Sequence, residues 1–317
     1  MVAKNAKKKL TNLPLDEVGK VEKSIDDTFQ TEKFKGLGFK KVLSVAKLQS
    51  VGAFEIKSKK HFNPAMVDYI KRGEGYFDPR KTEFELSQAY KEIYECVKNG
   101  GQVLFCSTDR EPISNHLKEY GKKLKTFYVC QRWLGGTLTN YKTISKTIKK
   151  LNNLCELIST GEIKQYTKKE QSVINKKINK LEKFIGGIKL MNNLPKILIT
   201  TDAIKEKNAI LEAQCINKNI KFRKITIISL ANVNASPDLI DYLIPCNTNS
   251  SKAQWLVLSA LLDAVAEANG EKTLVACKPD EEIKIPSNIG SDNKNKGIVL
   301  KNKKETETKL EDVEEEL

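Results

Sequence analysis

Short apolar runs that alternate with amphipathic stretches organise the middle of the chain. Apolar runs of strand length lie at 102–106, 126–130, 196–200, 224–230 and 242–245. Amphipathic stretches that predict helices lie at about 82–98, 112–121, 203–218 and 251–268. Strands that alternate with helices of this length are typical of βαβ units. The pattern therefore predicts an α/β fold, in which helices cover both faces of a parallel sheet.

A different pattern interrupts this alternation at about 140–190. Apolar residues there recur at helical steps along two arms, and Gly161 lies in the short link between the arms. Two matched apolar seams predict an inserted antiparallel coiled-coil hairpin that protrudes roughly 27 Å from the body. The seam residues are Ile144, Ile148, Leu151, Cys155 and Ile158 in the first arm, and Ile174, Ile178, Leu181, Ile185 and Ile188 in the second.

The two ends of the chain lack this periodicity. Residues 1–40 begin with a cluster of lysines and continue as mixed polar sequence, which predicts a mostly flexible extension. Beyond 270 the apolar pattern fades, and residues 305–317 hold seven acids against one lysine. We therefore expect a domain at 41–270 and a disordered tail with an acidic end at 271–317.

The charge balance favours an anionic partner. Lys and Arg total 55 against 40 for Asp and Glu, a net charge of +15. Almost all of the basic residues are lysines, which neutralise phosphates but discriminate poorly between bases. The sequence is thus typical of a protein that binds a polyanion, although a solvated lysine-rich surface would give the same balance.

Few residues are available for metal or cofactor chemistry. The seven cysteines are widely spread, no pair has ligand or redox spacing, and His61 and His116 are the only histidines. We expect no metal and no cofactor. An odd cysteine count without a secretion signal, and the absence of a long apolar run, predict a cytoplasmic protein that does not enter a membrane.

A parallel sheet can also carry a nucleotide or flavin at the carboxyl ends of its strands. The turns that follow the runs at 102–106, 196–200 and 224–230 contain no glycine, and no phosphate loop is present. Asp109 and Asp202 follow strands, where they are better suited to cap helices than to catalyse. The sequence therefore predicts a protein that is not an enzyme and has no small-molecule substrate. A nucleotide- or flavin-binding enzyme and a coiled-coil adaptor remain alternatives.

The segment 127–144 is the most informative part of the chain. An apolar run leads into Arg132 and Trp133, then Gly135 and Gly136. Arginine offers a planar fork of donors to phosphate, and tryptophan offers a flat face that packs in a core or stacks on a base. Paired glycines allow positive φ and let a phosphate approach the main chain.

Read as a continuous string, this segment resembles the signature of the small-subunit ribosomal protein two family. The resemblance extends over about 41–268, and its strength lies in the order of many short motifs. Further matching stretches are 63–66, 138–140, 142–144, 168–170, 186–188, 193–195, 210–213 and 237–242.

The resemblance implies a structural constituent of the small ribosomal subunit, with a flavodoxin-like domain and a protruding hairpin. It implies small-subunit rRNA and neighbouring ribosomal proteins as partners, with ribosomal protein one among them, on a cytoplasmic or organellar ribosome. The candidate rRNA-binding residues combine the signature turn with lysines of the first arm. They are Arg132, Trp133, Gly135, Gly136, Thr139, Asn140, Lys142, Lys146, Lys149 and Lys150.

Overall fold

The computed structural model describes residues 42–56, 62–71, 75–108, 111–219, 224–286 and 289. Within this part of the chain, five parallel strands form one sheet in the order β2-β1-β3-β4-β5. This is the strand order of flavodoxin-like sheets. The strands are β1 (Val103–Cys106), β2 (Phe127–Val129), β3 (Ile197–Thr200), β4 (Thr226–Ala231) and β5 (Tyr242–Pro245). Each coincides with a predicted apolar run, so the predicted α/β fold with a parallel sheet is confirmed.

Helices connect and cover these strands. Asp78 begins α2 by accepting a hydrogen bond from the N–H of Arg80, and Pro79 occupies the first turn. The helices are α1 (Val45–Ser50), α2 (Pro79–Lys98), α3 (Ile113–Lys123), α4 (Tyr141–Ser159), α5 (Lys168–Ile185), α6 (Lys207–Asn219) and α7 (Ser251–Ala268). Short 3₁₀ helices lie at Pro64–Tyr69, Glu162–Gln165, Gly186–Ile188 and Pro237–Leu239.

The core lies on both faces of the central strands. Every residue of β1 and β3 is buried, and successive side chains of a strand point to opposite faces, so both faces are covered. Helix α7 is buried on all its sides from Ala253 to Ala266 and packs against α2 and α3. Its sequence is accordingly apolar all round.

The packed body continues beyond the boundary predicted at 270. Buried Asp263 of α7 accepts hydrogen bonds from the backbone N–H groups of Leu274, Val275 and Ala276, at 2.6–2.8 Å. Further along, Lys47 donates to the backbone carbonyls of Asp280 and Ile283, 2.9 Å away in each case. The buried side chains of this segment are Val275, Ala276, Ile283 and Ile289.

The sequence predicted that the tail begins at 271. This boundary is wrong, because residues 274–276 are bonded to the body. Its apolar residues are few and lack a helical or strand period, which is why the pattern seemed to fade. A buried carboxylate, and not periodic packing, holds the start of this segment. Residues 1–41 and 290–317 lie outside the described residues, so the predictions for the extension and the acidic end stay predictions.

His116 of α3 lies close to the Asp263 carboxylate, which holds the start of the C-terminal segment. Its ring stacks on Tyr120 at 5.7 Å between centroids and lies 5.0 Å from the Trp255 ring, while Nε2 is 2.8 Å from the Ser259 hydroxyl. Burial lowers the pKa of His116 to about 4, although the Asp263 carboxylate acts in the opposite direction. The ring is therefore neutral in the folded protein at neutral pH.

We expect the free energy of unfolding to fall by up to about 3 kcal/mol as the pH drops from 6.5 to 4, because only the unfolded chain binds a proton at His116 in that window. Urea unfolding at several pH values measures this loss. His116→Gln does not titrate and can still bond Ser259, so the difference between the two proteins reports the contribution of His116. Equal pH dependence in the two proteins would contradict the prediction.

Candidate nucleic-acid interface

The signature turn, residues 130–140, connects β2 to α4 and packs against the side of α6. Trp133 is 8% exposed, so it belongs to the core. Its indole Nε1 donates to Glu212 Oε1 at 3.0 Å. Of the two roles that the sequence left open for Trp133, packing is the one observed. The ring is not presented for stacking on a base.

Glu212 collects the hydrogen-bond donors of the turn around one carboxylate. Oε1 also accepts the N–H of Gly136 at 2.8 Å. Oε2 accepts the N–H of Leu138 at 2.9 Å, and both the N–H and the hydroxyl of Thr139 at 3.3 and 3.4 Å. Converging backbone N–H groups of this kind form an anion-binding nest, and here the anion belongs to the chain itself.

The two glycines of the turn have different surroundings. Gly136 has φ +84°, a conformation that favours glycine, and a Cβ there would lie 3.2 Å from Asn140 Cβ. Gly135 is exposed, with nothing within 4 Å of a Cβ. The N–H of Gly136 points at Glu212, so it is not available to a phosphate, contrary to our expectation from the sequence.

The remaining candidate residues are brought together on the outside. Arg132, Thr139 and Asn140 are exposed on the turn. The four candidate lysines of α4 are also exposed, and they are Lys142, Lys146, Lys149 and Lys150. The structure thus separates an inner group bonded to Glu212, which contains Trp133, Gly136 and Thr139, from an outer basic group, which contains Arg132 and the four lysines.

Two contacts close the base of the segment that contains α4 and α5. The Tyr141 hydroxyl, at the start of α4, donates to the Met191 carbonyl. After α5, Gly187 lies against the carbonyl and ring of Tyr128 in strand β2, and Gly121 of α3 faces the other edge of that ring. A side chain at Gly187 would occupy the space of Tyr128. The start of α4 is therefore bonded to the chain that follows α5, and that chain packs on strand β2.

Helices α4 and α5 contact each other, and several of the predicted seam residues are buried. Ile148, Leu151, Ile178 and Ile185 are buried, whereas Ile158, near the far end, is 42% exposed. Lys150 and Lys177 lie close together across the pair, and the charge of Lys150 lowers the pKa of Lys177. Positive charge is thus concentrated on this pair of helices.

Polar groups at the carboxyl ends of the strands bind one another. Glu206 Oε1 accepts the N–H and hydroxyl of Thr108 at 2.9 and 3.0 Å, and its Oε2 accepts the N–H of Asp202 at 2.6 Å. Asp202 accepts the N–H of Ile204 at 2.9 Å, in the turn that precedes α6, whereas α6 itself begins at Lys207. Asp109, the other candidate cap, lies outside the described residues.

In the part of the chain that the structure describes, no group of three or more His, Cys, Asp or Glu residues could hold a metal ion. Among the same residues, no helix is both long and apolar enough to cross a membrane.

Sequence reasoning did not single out Glu212. It lies within a stretch that resembles the family, but 79 positions separate it from Trp133. A contact over that distance leaves no local periodicity or spacing that would reveal it. Glu212 is recognisable only when α6 and the turn are seen together.

Comparison with known proteins gives a consistent result. The family model described as Ribosomal protein S2 matches residues 49–268. The chain is 44% identical to small ribosomal subunit protein uS2 of Ureaplasma urealyticum, over 80% of this chain and 71% of that protein. It is 41% identical to the uS2 protein of Malacoplasma penetrans, over 80% and 70%, and 39% identical to that of Mycoplasma genitalium, over 72% and 78%.

Proposed function

Because the chain belongs to the ribosomal protein S2 family, we propose that it binds small-subunit rRNA through the outer basic group beside the signature turn. The chain is a structural constituent of the small ribosomal subunit, acts in translation and is not an enzyme. This outer basic group, called the basic surface from here on, consists of Arg132 together with Lys142, Lys146, Lys149 and Lys150.

The placement of the four lysines on α4 carries this proposal. At about 100° per residue they fall within one face of the helix, roughly opposite the seam that contains Ile148 and Leu151. No acidic residue occurs in α4 before Glu156, and none of the four lysines pairs with a carboxylate among the described residues. Their charge is therefore available to phosphates.

The turn adds a geometric element to this charge. Arg132 is exposed directly before Trp133, whose ring is buried and hydrogen-bonded. An arginine on an immobilised turn can hold a phosphate in a defined orientation through its planar fork. Gly135 and Asn140, exposed on the same turn, leave room for an RNA backbone beside it. Arg132 would thus fix the position of the RNA backbone on the protein, and the lysines would supply affinity.

The two helices form, in this proposal, a protruding coiled-coil hairpin on a flavodoxin-like domain. The buried seam residues Ile148, Leu151 and Ile178 support the pairing of the two helices. The two contacts at the base of the pair, Tyr141 with Met191 and Gly187 with Tyr128, support a fixed orientation. Neighbouring ribosomal proteins, with ribosomal protein one among them, are the proposed protein partners, and a bacterial cytoplasmic ribosome is the proposed location.

The test replaces the four lysines of the basic surface together and measures binding to transcribed small-subunit rRNA at several salt concentrations. Each lost phosphate contact should reduce the slope of log K against log salt by about 0.9 on duplex and about 0.7 on single strands. We expect weaker binding and a slope smaller by about 2–4. The variant is Lys142→Gln, Lys146→Gln, Lys149→Gln and Lys150→Gln.

A control variant removes the same number of charges from other helices. It replaces exposed lysines of α2, α3 and α6 and so has the same net charge as the test variant. If the control reduces the slope as much as the test variant does, the basic surface is not the RNA-binding surface. The control residues, each changed to glutamine, are Lys98, Lys118, Lys122 and Lys218.

A further inference from the structure

We propose that Glu212 is a positioning residue for rRNA binding, which holds the turn 133–139 so that Arg132 and the start of α4 face the RNA together. This inference rests on the proposed function. Glu212 is an acid at a basic surface, so its charge opposes RNA binding. Its hydrogen bonds must therefore outweigh that repulsion if it supports binding.

The carboxylate is suited to hold the turn because its two oxygens divide the turn between them. Oε1 bonds the beginning, at Trp133 and Gly136, and Oε2 bonds the end, at Leu138 and Thr139. One side chain of α6 thus spans seven consecutive residues of the turn. Bonds to an ionised acceptor are stronger than bonds between neutral groups.

The end of the turn leads directly into α4. The N–H of Asn140 bonds the Gly136 carbonyl at 2.9 Å, and α4 begins at Tyr141. Asn140 provides no side-chain cap for this helix, so the turn itself determines where the helix starts. A negative charge near a helix N-terminus is also favourable for the helix dipole. Glu212 therefore fixes the direction of α4 relative to the body, and with it the direction of the lysines.

Arg132 precedes the first residue that Glu212 holds. When the turn is fixed, the Arg132 backbone is fixed by its bond to Trp133. When the turn is loosened, the arginine fork loses its defined orientation, and its contribution to binding falls. Glu212 need not touch RNA to have this effect, since all the bonds described for its carboxylate go to the turn.

The sign of one substitution distinguishes this role from a purely electrostatic one. Glu212→Gln removes a negative charge, which by itself would strengthen binding to a polyanion. The glutamine amide NH₂ also places a donor where a carboxylate oxygen of Glu212 accepts N–H groups of the turn. We expect binding to transcribed small-subunit rRNA to weaken by about tenfold despite the gain in net charge. The control Glu156→Gln removes the same charge from the exposed surface of α4, and its binding should be unchanged or tighter.

A double-mutant cycle with Arg132→Ala gives a readout that a merely structural role would not change. We expect Arg132→Ala to weaken binding several-fold less in the Glu212→Gln background than in the wild type, with both proteins shown to be folded at the assay temperature. Equal effects of Arg132→Ala in both backgrounds, or unchanged binding by Glu212→Gln, would overturn the inference.

The same measurements separate this inference from the proposed function. If neither Arg132→Ala nor the four-lysine variant weakens binding in the wild-type background, the proposed RNA surface is wrong, and the inference is wrong with it. If both weaken binding but the cycle is additive, only the inference is wrong. Should Glu212→Gln not fold, Trp133→Phe replaces it in the cycle, because it removes one donor to Glu212 and keeps an aromatic ring in the core.

Discussion

Asp263→Ala should lower the free energy of unfolding by about 3–5 kcal/mol, because it leaves several buried donors without an acceptor. Asp263 is fully buried in α7, and its carboxylate accepts the N–H groups of Leu274, Val275 and Ala276. It also accepts the Tyr120 hydroxyl at 2.6 Å. Burial, followed by this bond, raises the pKa of Tyr120, so the phenol keeps its proton at neutral pH. Urea unfolding near neutral pH measures the loss.

The control for this substitution lies in the same C-terminal segment. Asp280→Ala removes a half-buried carboxylate that accepts only the Ser44 hydroxyl among the side-chain bonds described for it, and it should cost about 1 kcal/mol. Deletion of residues 271–317 removes the N–H groups that Asp263 binds, so Asp263→Ala should cost much less in the deleted protein than in the full chain. If Asp263→Ala costs no more than Asp280→Ala, Asp263 is not the anchor of this segment.

Gly187→Ala should destabilise the protein by about 3 kcal/mol, because a Cβ at this position would overlap the carbonyl oxygen and two ring carbons of Tyr128. Tyr128 has no room to move away, since Gly121 faces the other edge of its ring. The 3₁₀ helix Gly186–Ile188 would therefore have to move off strand β2. Thermal or urea unfolding measures the loss of stability.

The adjacent glycine provides a matched control. A Cβ at Gly186 would meet only Glu182 Cβ at 3.7 Å, an ordinary contact. Gly186 also has helical backbone angles, so alanine should be neutral or stabilise by up to about 1 kcal/mol. If the two substitutions have equal effects on stability, the close fit between Gly187 and Tyr128 does not hold the end of α5 against strand β2.

The sequence predicted the sheet well because parallel strands buried on both faces are continuous apolar runs. The run at 196–200, for instance, contains Ile197–Thr200, in which every residue is buried. The helix predicted at about 251–268 spans Ser251–Ala268, where Ser250 caps its start and Asn269 follows its end. These signals are local, so a single chain is enough to see them.

The sequence could not reveal the contacts that organise the site, because they join distant segments. Nothing near Trp133 indicates that its partner is Glu212, and the burial of the ring is a property of the whole fold. Asp263 did offer a signal: an acid in an apolar helix needs partners if it is buried. The sequence could not name those partners, since single N–H groups at 274–276 carry no pattern.

The contacts of Glu206 have a thermodynamic consequence. Its carboxylate joins the end of β1, at Thr108, to the end of β3, at Asp202, where many proteins with such sheets bind an anionic ligand. A dissociable ligand stabilises a fold by an amount that depends on its free concentration. A carboxylate that is part of the chain cannot dissociate, so its contribution does not depend on the concentration of any ligand. These strand ends therefore stay joined without a bound ligand, before the protein meets any RNA.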